Sequence, residues 1–127
     1  MDSALYTIIT SVTALTDELG DRVTPIIRAQ GEGVPALTYR KVSSSRPYDQ
    51  DGIAMVDQSF DLHIYAMTYG NVQHIIELIE DNLSGISGTY AGRVIEEVTV
   101  EEVGNDDFIE DEQLYTDSIE IKVRFKE

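Results

Sequence analysis

Met55-Val56-Asp57-Gln58-Ser59-Phe60-Asp61-Leu62-His63-Ile64-Tyr65-Ala66-Met67 is the stretch that decides the fold. Phe60, Leu62, Ile64 and Ala66 fall on one side of a period of two, and Asp61, His63 and Tyr65 on the other, which is the pattern of a strand with one buried face. Directly after it the period changes. Beyond the break at Tyr69-Gly70-Asn71, the residues Val72, Ile75, Ile76, Ile79 and Leu83 return at helical spacing, with Gln73, His74, Glu77, Glu80 and Asp81 on the wet side. A half-buried strand followed by an amphipathic helix that ends near Ser84-Gly85 sets up a sheet with helices on one face.

Outward from this pair the same signals recur. Leu5, Ile8, Ile9, Val12 and Leu15 predict a helix over 3–19, capped by Asp2 or Ser3 and stopped by Gly20. Arg22 to Arg28, with Pro25 in its middle, predicts a weak edge strand, since proline cannot donate to a ladder. Pro35 to Ser43 predicts a second strand. The following SSSRPYDQDG is rich in residues that compete with regular pairing, so a flexible loop is expected over 43–54.

Arg93 to Val103 predicts a strand with Val94, Val98 and Val100 on one face. Tyr115 to Phe125 predicts the last, with Ile119, Ile121, Val123 and Phe125 buried. These two should pair antiparallel across an acidic turn at 104–113, with Glu97 opposite Lys122 or Arg124. The expectation is a single α+β domain over 1–127, in the order α-β-β-β-α-β-β. Two helices would pack on one face of a mainly antiparallel sheet of four to five strands.

Composition narrows the function. With 24 acidic residues against 9 basic ones the net charge is -15, so bare phosphate backbones and anionic membranes are repelled. The absence of cysteine excludes disulfides, thiolate nucleophiles and thiolate metal sites. No apolar run is long enough to span a bilayer, and Met1 to Leu5 lacks the features of a secretory signal, so synthesis in the cytoplasm is expected.

Little in the chain points to chemistry. Its two histidines, His63 and His74, have no metal-ligand spacing, and structural or surface roles are expected of both. The acidic run Glu101 to Glu112 lacks the alternation and central glycine of a calcium loop. Gly85 to Gly92 has neither the lysine nor the preceding strand of a phosphate loop. No catalytic, cofactor or metal residues are assigned, and a binding or assembly protein is expected, not an enzyme.

Charge is distributed unevenly. Arg40, Lys41 and Arg46 surround the expected loop, and Lys122, Arg124 and Lys126 line the last strand. Such patches on an acidic molecule fit docking against another acidic surface, an identical copy being the economical partner. Pairing of the same charges within one chain is the plainer alternative.

The opening helix, Arg22-Val23-Thr24-Pro25, Val34-Pro35-Ala36-Leu37-Thr38-Tyr39, the long loop, Ser59-Phe60-Asp61-Leu62-His63-Ile64-Tyr65-Ala66 and the Ile-rich helix together resemble the tail-completion, or tail-terminator, proteins of long-tailed bacteriophages. The likeness covers almost the whole chain and rests on apolar patterns and lengths. One departure is Tyr65-Ala66-Met67-Thr68, where the family often carries a tryptophan. The resemblance implies a hexameric ring on the head-proximal end of the tail tube. That ring would end tube growth, meet the head connector and let DNA pass as non-specific cargo.

Its partners would be copies of itself, the tube protein and the connector or stopper, with no membrane and no cofactor. Its place would be the host cytoplasm during assembly and then the virion tail. On this reading Arg40, Lys41, Arg46 and Tyr48 are candidates for the interface, while Asp106, Asp107, Glu110 and Asp111 are candidates for an acidic surface at the lumen or tube end. A head-completion or stopper protein of the neck is the near alternative, and a small metal-dependent enzyme the remote one.

Overall fold

The computed structural model describes residues 2–20, 22–26, 33–48, 55–104, 107–110 and 113–126, and only the backbone of Asp2, Arg46, Pro47, Tyr48, Glu102 and Val103. Among them, helices α1 (Asp2–Ser11), α2 (Thr13–Leu19) and α3 (Tyr69–Leu83) accompany seven strands. The strands are β1 (Val23–Pro25), β2 (Ala36–Tyr48), β3 (Met55–Ala66), β4 (Gly88–Tyr90), β5 (Arg93–Val103), β6 (Asp107–Ile109) and β7 (Leu114–Lys126). They form one sheet in the order β1-β2-β3-β7-β5-β4, with β6 on the remaining part of β7.

The expected sheet of four to five strands is therefore too small, and it is mixed because β1 runs parallel to β2. The short strands β4 and β6 lie inside segments whose glycines and acids read as turns. They are held by pairing to longer neighbours, which overrides weak local propensity.

The decisive stretch folds as read. Phe60, Leu62, Ile64 and Ala66 are buried, and β3 pairs antiparallel with β2 on one side and β7 on the other. Ile119, Ile121, Val123 and Phe125 of β7 join them, as do Val72, Ile75, Ile76, Ile79 and Leu83 of α3 and Leu5, Ile8, Ile9, Leu15 and Leu19 of the first two helices. One core thus lies between the helices and one face of the sheet.

Helix α3 starts a turn earlier than the sequence indicates. The Thr68 side chain accepts a hydrogen bond from the Asn71 N–H at 3.2 Å, so Tyr69-Gly70-Asn71 is its first turn and not a break.

The helix expected over 3–19 is two helices. Val12 is extended at φ -87 and ψ 109, between α1 and α2. Around it the hydroxyls of Thr7, Thr10, Ser11 and Thr16 donate to carbonyls three or four residues back. Such bonds compete with the helical ladder and favour a break. Ser3 lies inside α1 and does not cap it. Gly20 ends α2 at φ 60, its N–H donating to the Thr16 carbonyl at 2.8 Å.

Two further expectations are corrected. Residues 43–48, read as loop, extend β2, with Ser43 opposite Ser59 and Tyr48 opposite Met55; 49–54 lie outside the described residues. In β5 the buried residues are Ile95 and Val98, while Val94 is exposed. An irregularity between Ile95 and Glu97 shifts the alternation by one, which no period-two reading anticipates. Glu97 does stand opposite Arg124.

Candidate functional site

The long β2 carries all four residues expected at an interface. Arg40 and Lys41 are exposed, in register with Asp61 and Phe60, and among the described residues neither has an ion pair. The backbone of Arg46 and Tyr48 continues the same strand; their side chains lie outside what is described. What the sequence places around a loop, the fold places along one edge of the sheet.

That edge is only partly covered. β1 pairs with Leu37 to Tyr39 and then stops at Pro25. Ile26 follows at φ 66, its N–H donating to the Tyr39 carbonyl at 2.9 Å and its side chain 58% exposed. A cleft of about 290 Å³ lies there, lined by Pro25, Ile26, Tyr39, Arg40 and Lys41. Beyond it Val42 is 51% exposed, on a strand with no described neighbour on its outer side.

Of the acidic candidates, Asp107 and Glu110 are exposed, and Asp106 and Asp111 lie outside the described residues. Asp107 opens β6, opposite Thr116, and its Oδ1 accepts from the Phe108 N–H at 2.8 Å. The Glu110 carbonyl accepts from Gln113 Nε2 at 2.7 Å, closing the turn into β7. Among the described residues, β6 pairs antiparallel with the start of β7, and the side chains of Asp107 and Glu110 are exposed there.

Beside it stands a group of rings that sequence reading missed. Phe108 meets Tyr115 edge to face at 4.8 Å between centroids, and Tyr69 meets Tyr115 at 6.2 Å. With Asp107 they line a cleft of about 250 Å³, and Met67, just before α3, is 70% exposed. The three rings come from α3, β6 and β7, so no local spacing announces them.

The basic residues of β7 answer the pairing question differently from those of β2. Lys122 Nζ lies 3.3 Å from Glu101 Oε1, and Lys126 Nζ lies 3.4 Å from Glu96 Oε1. Arg124 grips Asp57 with both ends of its guanidinium, Nε to Oδ1 at 2.7 Å and Nη2 to Oδ2 at 2.9 Å. Those hydrogen bonds hold the Asp57 carboxyl below the usual carboxylate range, against the opposing effect of burial. These three cations have carboxylate partners within the chain, whereas among the described residues Arg40 and Lys41 have none.

His63 is half-buried on the polar face of β3 between Thr38 and Ser118, and His74 is exposed with Nε2 3.7 Å from Glu18 Oε1. Among the described residues no group of three or more acids and histidines is placed to hold a metal ion. No described helix is long and apolar enough to cross a membrane.

No family model matches this sequence, and no curated protein matches it. Solved structures do share its fold. A chain from the virion of a native gene transfer agent particle superposes with a TM-score of 0.81 at 10% identity, over 100% of this chain and 95% of that one. A second solved chain, named only by a sequence identifier, gives 0.65 at 10% identity, over 99% and 92%. At this identity the likeness is one of fold, and that fold is used by a component of a virion.

Proposed function

We propose that this chain is a structural subunit of a tailed phage or phage-like particle, and that it caps the head-proximal end of the tail tube as a hexameric ring. The observation that supports the reading is the superposition of the chain on a virion chain at a TM-score of 0.81, over 100% of this chain and 95% of that one. The resemblance of the opening helix, the decisive strand and α3 to tail-terminator proteins supplies the finer assignment.

On this reading the subunit works by geometry and charge, without chemistry and without a cofactor. A ring with a carboxylate-rich lumen repels phosphates, so a passing genome meets no adhesive cations. Asp107 and Glu110, exposed on the hairpin before β7, are the described residues assigned to that surface. The ring's partners are the tube protein below and the connector or stopper above.

Particles assembled without this chain test the assignment by electron microscopy. Tubes of uncontrolled length are expected. Tails of normal length beside heads that leak DNA would overturn the terminator reading in favour of a stopper.

A further inference from the structure

The cleft between the start of α3 and the β6–β7 pair brings aromatic rings and carboxylates together in a part of the chain that holds no lysine or arginine. Tyr69, Phe108 and Tyr115 line it with Asp107. Tyr115 is the central ring, with Phe108 standing at 60° and Tyr69 at 74° to its plane. The outer rings are not enclosed as a core would enclose them, since Tyr69 is 49% and Phe108 37% exposed, and exposed Met67 lies two residues before Tyr69.

A buried carboxylate lies behind these rings. Asp117 is on the same face of β7 as Tyr115, about 7 Å further along the strand. Gln73, one turn after Tyr69 on α3, donates from Nε2 to Asp117 Oδ2 at 2.8 Å, so Tyr69–Tyr115 and Gln73–Asp117 bridge the same two elements as adjacent rungs. Asp117 is 4% exposed, and its other hydrogen bond comes from the Ser118 N–H at 2.7 Å. Both donors are neutral, and among the described residues no cation pairs with Asp117 or Asp107. A carboxylate withdrawn from water without a cation keeps an uncompensated negative field, which reaches into the neighbouring cleft.

No neighbour in sequence supplies the missing cation. Between Arg46 and Arg93, and again between Arg93 and Lys122, there is no lysine or arginine, and these two stretches contain every residue that lines the cleft. The residues flanking β6 outside the described ones, Asn105, Asp106, Asp111 and Glu112, add only neutral or acidic groups. The positive end of α3 opposes a cation, but it amounts to about half a charge and its first turn is capped by Thr68, against two carboxylates at Asp107 and Asp117.

We infer that this cleft binds an arginine side chain presented by a partner protein. A guanidinium is planar and weakly hydrated, so it lies against an aromatic face while donating to a carboxylate, which an ammonium with its tightly held water does less well. Phe108 and Tyr115 offer the rings. Asp107 Oδ1 is taken by the Phe108 N–H, which leaves Oδ2 to receive the guanidinium. Exposed Met67 and Tyr69 give apolar surface to the residues that flank such an arginine on its own protein. The contact needs no closed hexamer, so it stands or falls separately from the terminator reading.

Proton–carbon NMR of the aromatic side chains in the whole chain tests this with three probes: N-acetylarginine amide, its neutral near-isostere N-acetylcitrulline amide, and N-acetylleucine amide. The arginine probe should shift the signals of Tyr69, Phe108 and Tyr115 saturably and bind roughly fivefold tighter than either neutral probe. Asp107→Asn keeps an acceptor for the Phe108 N–H but removes the charge, and Phe108→Leu keeps apolar volume but removes the ring. Each should weaken the arginine probe roughly threefold with melting unchanged. Equal binding of the citrulline probe, tighter binding of the leucine probe, or no saturable shift at these three side chains would overturn the inference. Signals that move when the chain alone is diluted would assign the cleft to a second copy and overturn the choice of partner.

Discussion

Asp57 and Arg124 face each other across β3 and β7 and are joined by two hydrogen bonds, with the Asp57 side chain 10% exposed and that of Arg124 31% exposed. The pair sits on the polar face of the sheet, opposite the core, and ties its two central strands. A bidentate, partly buried pair of this kind differs from the exposed Lys122–Glu101 contact, whose geometry is looser and whose side chains are each more than a third exposed.

Replacing Asp57 with alanine should therefore cost about 2 kcal/mol of folding stability, because it strands a hydrogen-bonded guanidinium. Glu101→Ala should cost under about 1 kcal/mol. Urea unfolding of both variants at pH 7 makes the comparison; equal losses would show that the bidentate geometry contributes nothing.

The same pair sets a pH dependence. Arg124 lowers the Asp57 carboxyl in the folded chain, so the unfolded state takes up the proton first as acid is added. The stabilisation is whole at neutral pH, above the ordinary carboxylate range, and is lost as pH falls through that range and the lowered folded value. Asp57→Asn should flatten this part of the acid limb. Stability curves measured from pH 7 to pH 2 that run parallel for parent and variant would exclude the linkage.

Gly104, which closes β5, donates its N–H to the Ser118 carbonyl at 2.6 Å, and a Cβ placed on it would run into the Ser118 hydroxyl, with Ser118 Cβ and carbonyl oxygen each at 3.3 Å. Gly104→Ala should destabilise by about 1 kcal/mol or more through overpacking. Ser118→Ala in the same chain should recover part of that loss, since it removes the nearest atom. Strictly additive effects of the two substitutions would show that they do not meet.

Phe60 is fully buried at the centre of β3, between β2 and β7. Phe60→Ala should lose about 3–5 kcal/mol through lost transfer energy and a residual cavity. Thermal melting reads this directly, and a melting point unchanged within error would mean that the core is not organised around this strand.

Neutralising the acidic hairpin, with Asp106, Asp107, Glu110 and Asp111 changed to the corresponding amides, should leave folding intact, since Asp107 and Glu110 are exposed. It should slow DNA passage through assembled particles. Ejection rates and tail lengths equal to those of the parent would remove the role assigned to these carboxylates.

The long elements were legible because their burial follows one period throughout. Phe60 to Ala66, Ile119 to Phe125 and Val72 to Leu83 each obey a single rule, and each is buried as that rule requires. Misreadings arose where the rule is interrupted by something non-local or by competing hydrogen bonds. The break at Val12 follows from hydroxyls bonded back to the helix, the exposure of Val94 from a shifted register, and the extension of β2 over three serines from pairing with β3.

Charge was legible as composition but not as partnership. Lys122, Arg124 and Lys126 look no different in sequence from Arg40 and Lys41, yet the first three find carboxylates on β3 and β5 while the other two have no ion pair among the described residues. The ring cluster of Tyr69, Phe108 and Tyr115 was invisible because its members are separated by whole elements.

Electron cryomicroscopy of the particle neck tests the central claim most directly. A closed ring of this chain at the head-proximal end of the tube is expected, with carboxylates around the hole. A neck in which this chain is absent or forms no closed ring, or in which lysine and arginine line the hole, would contradict it.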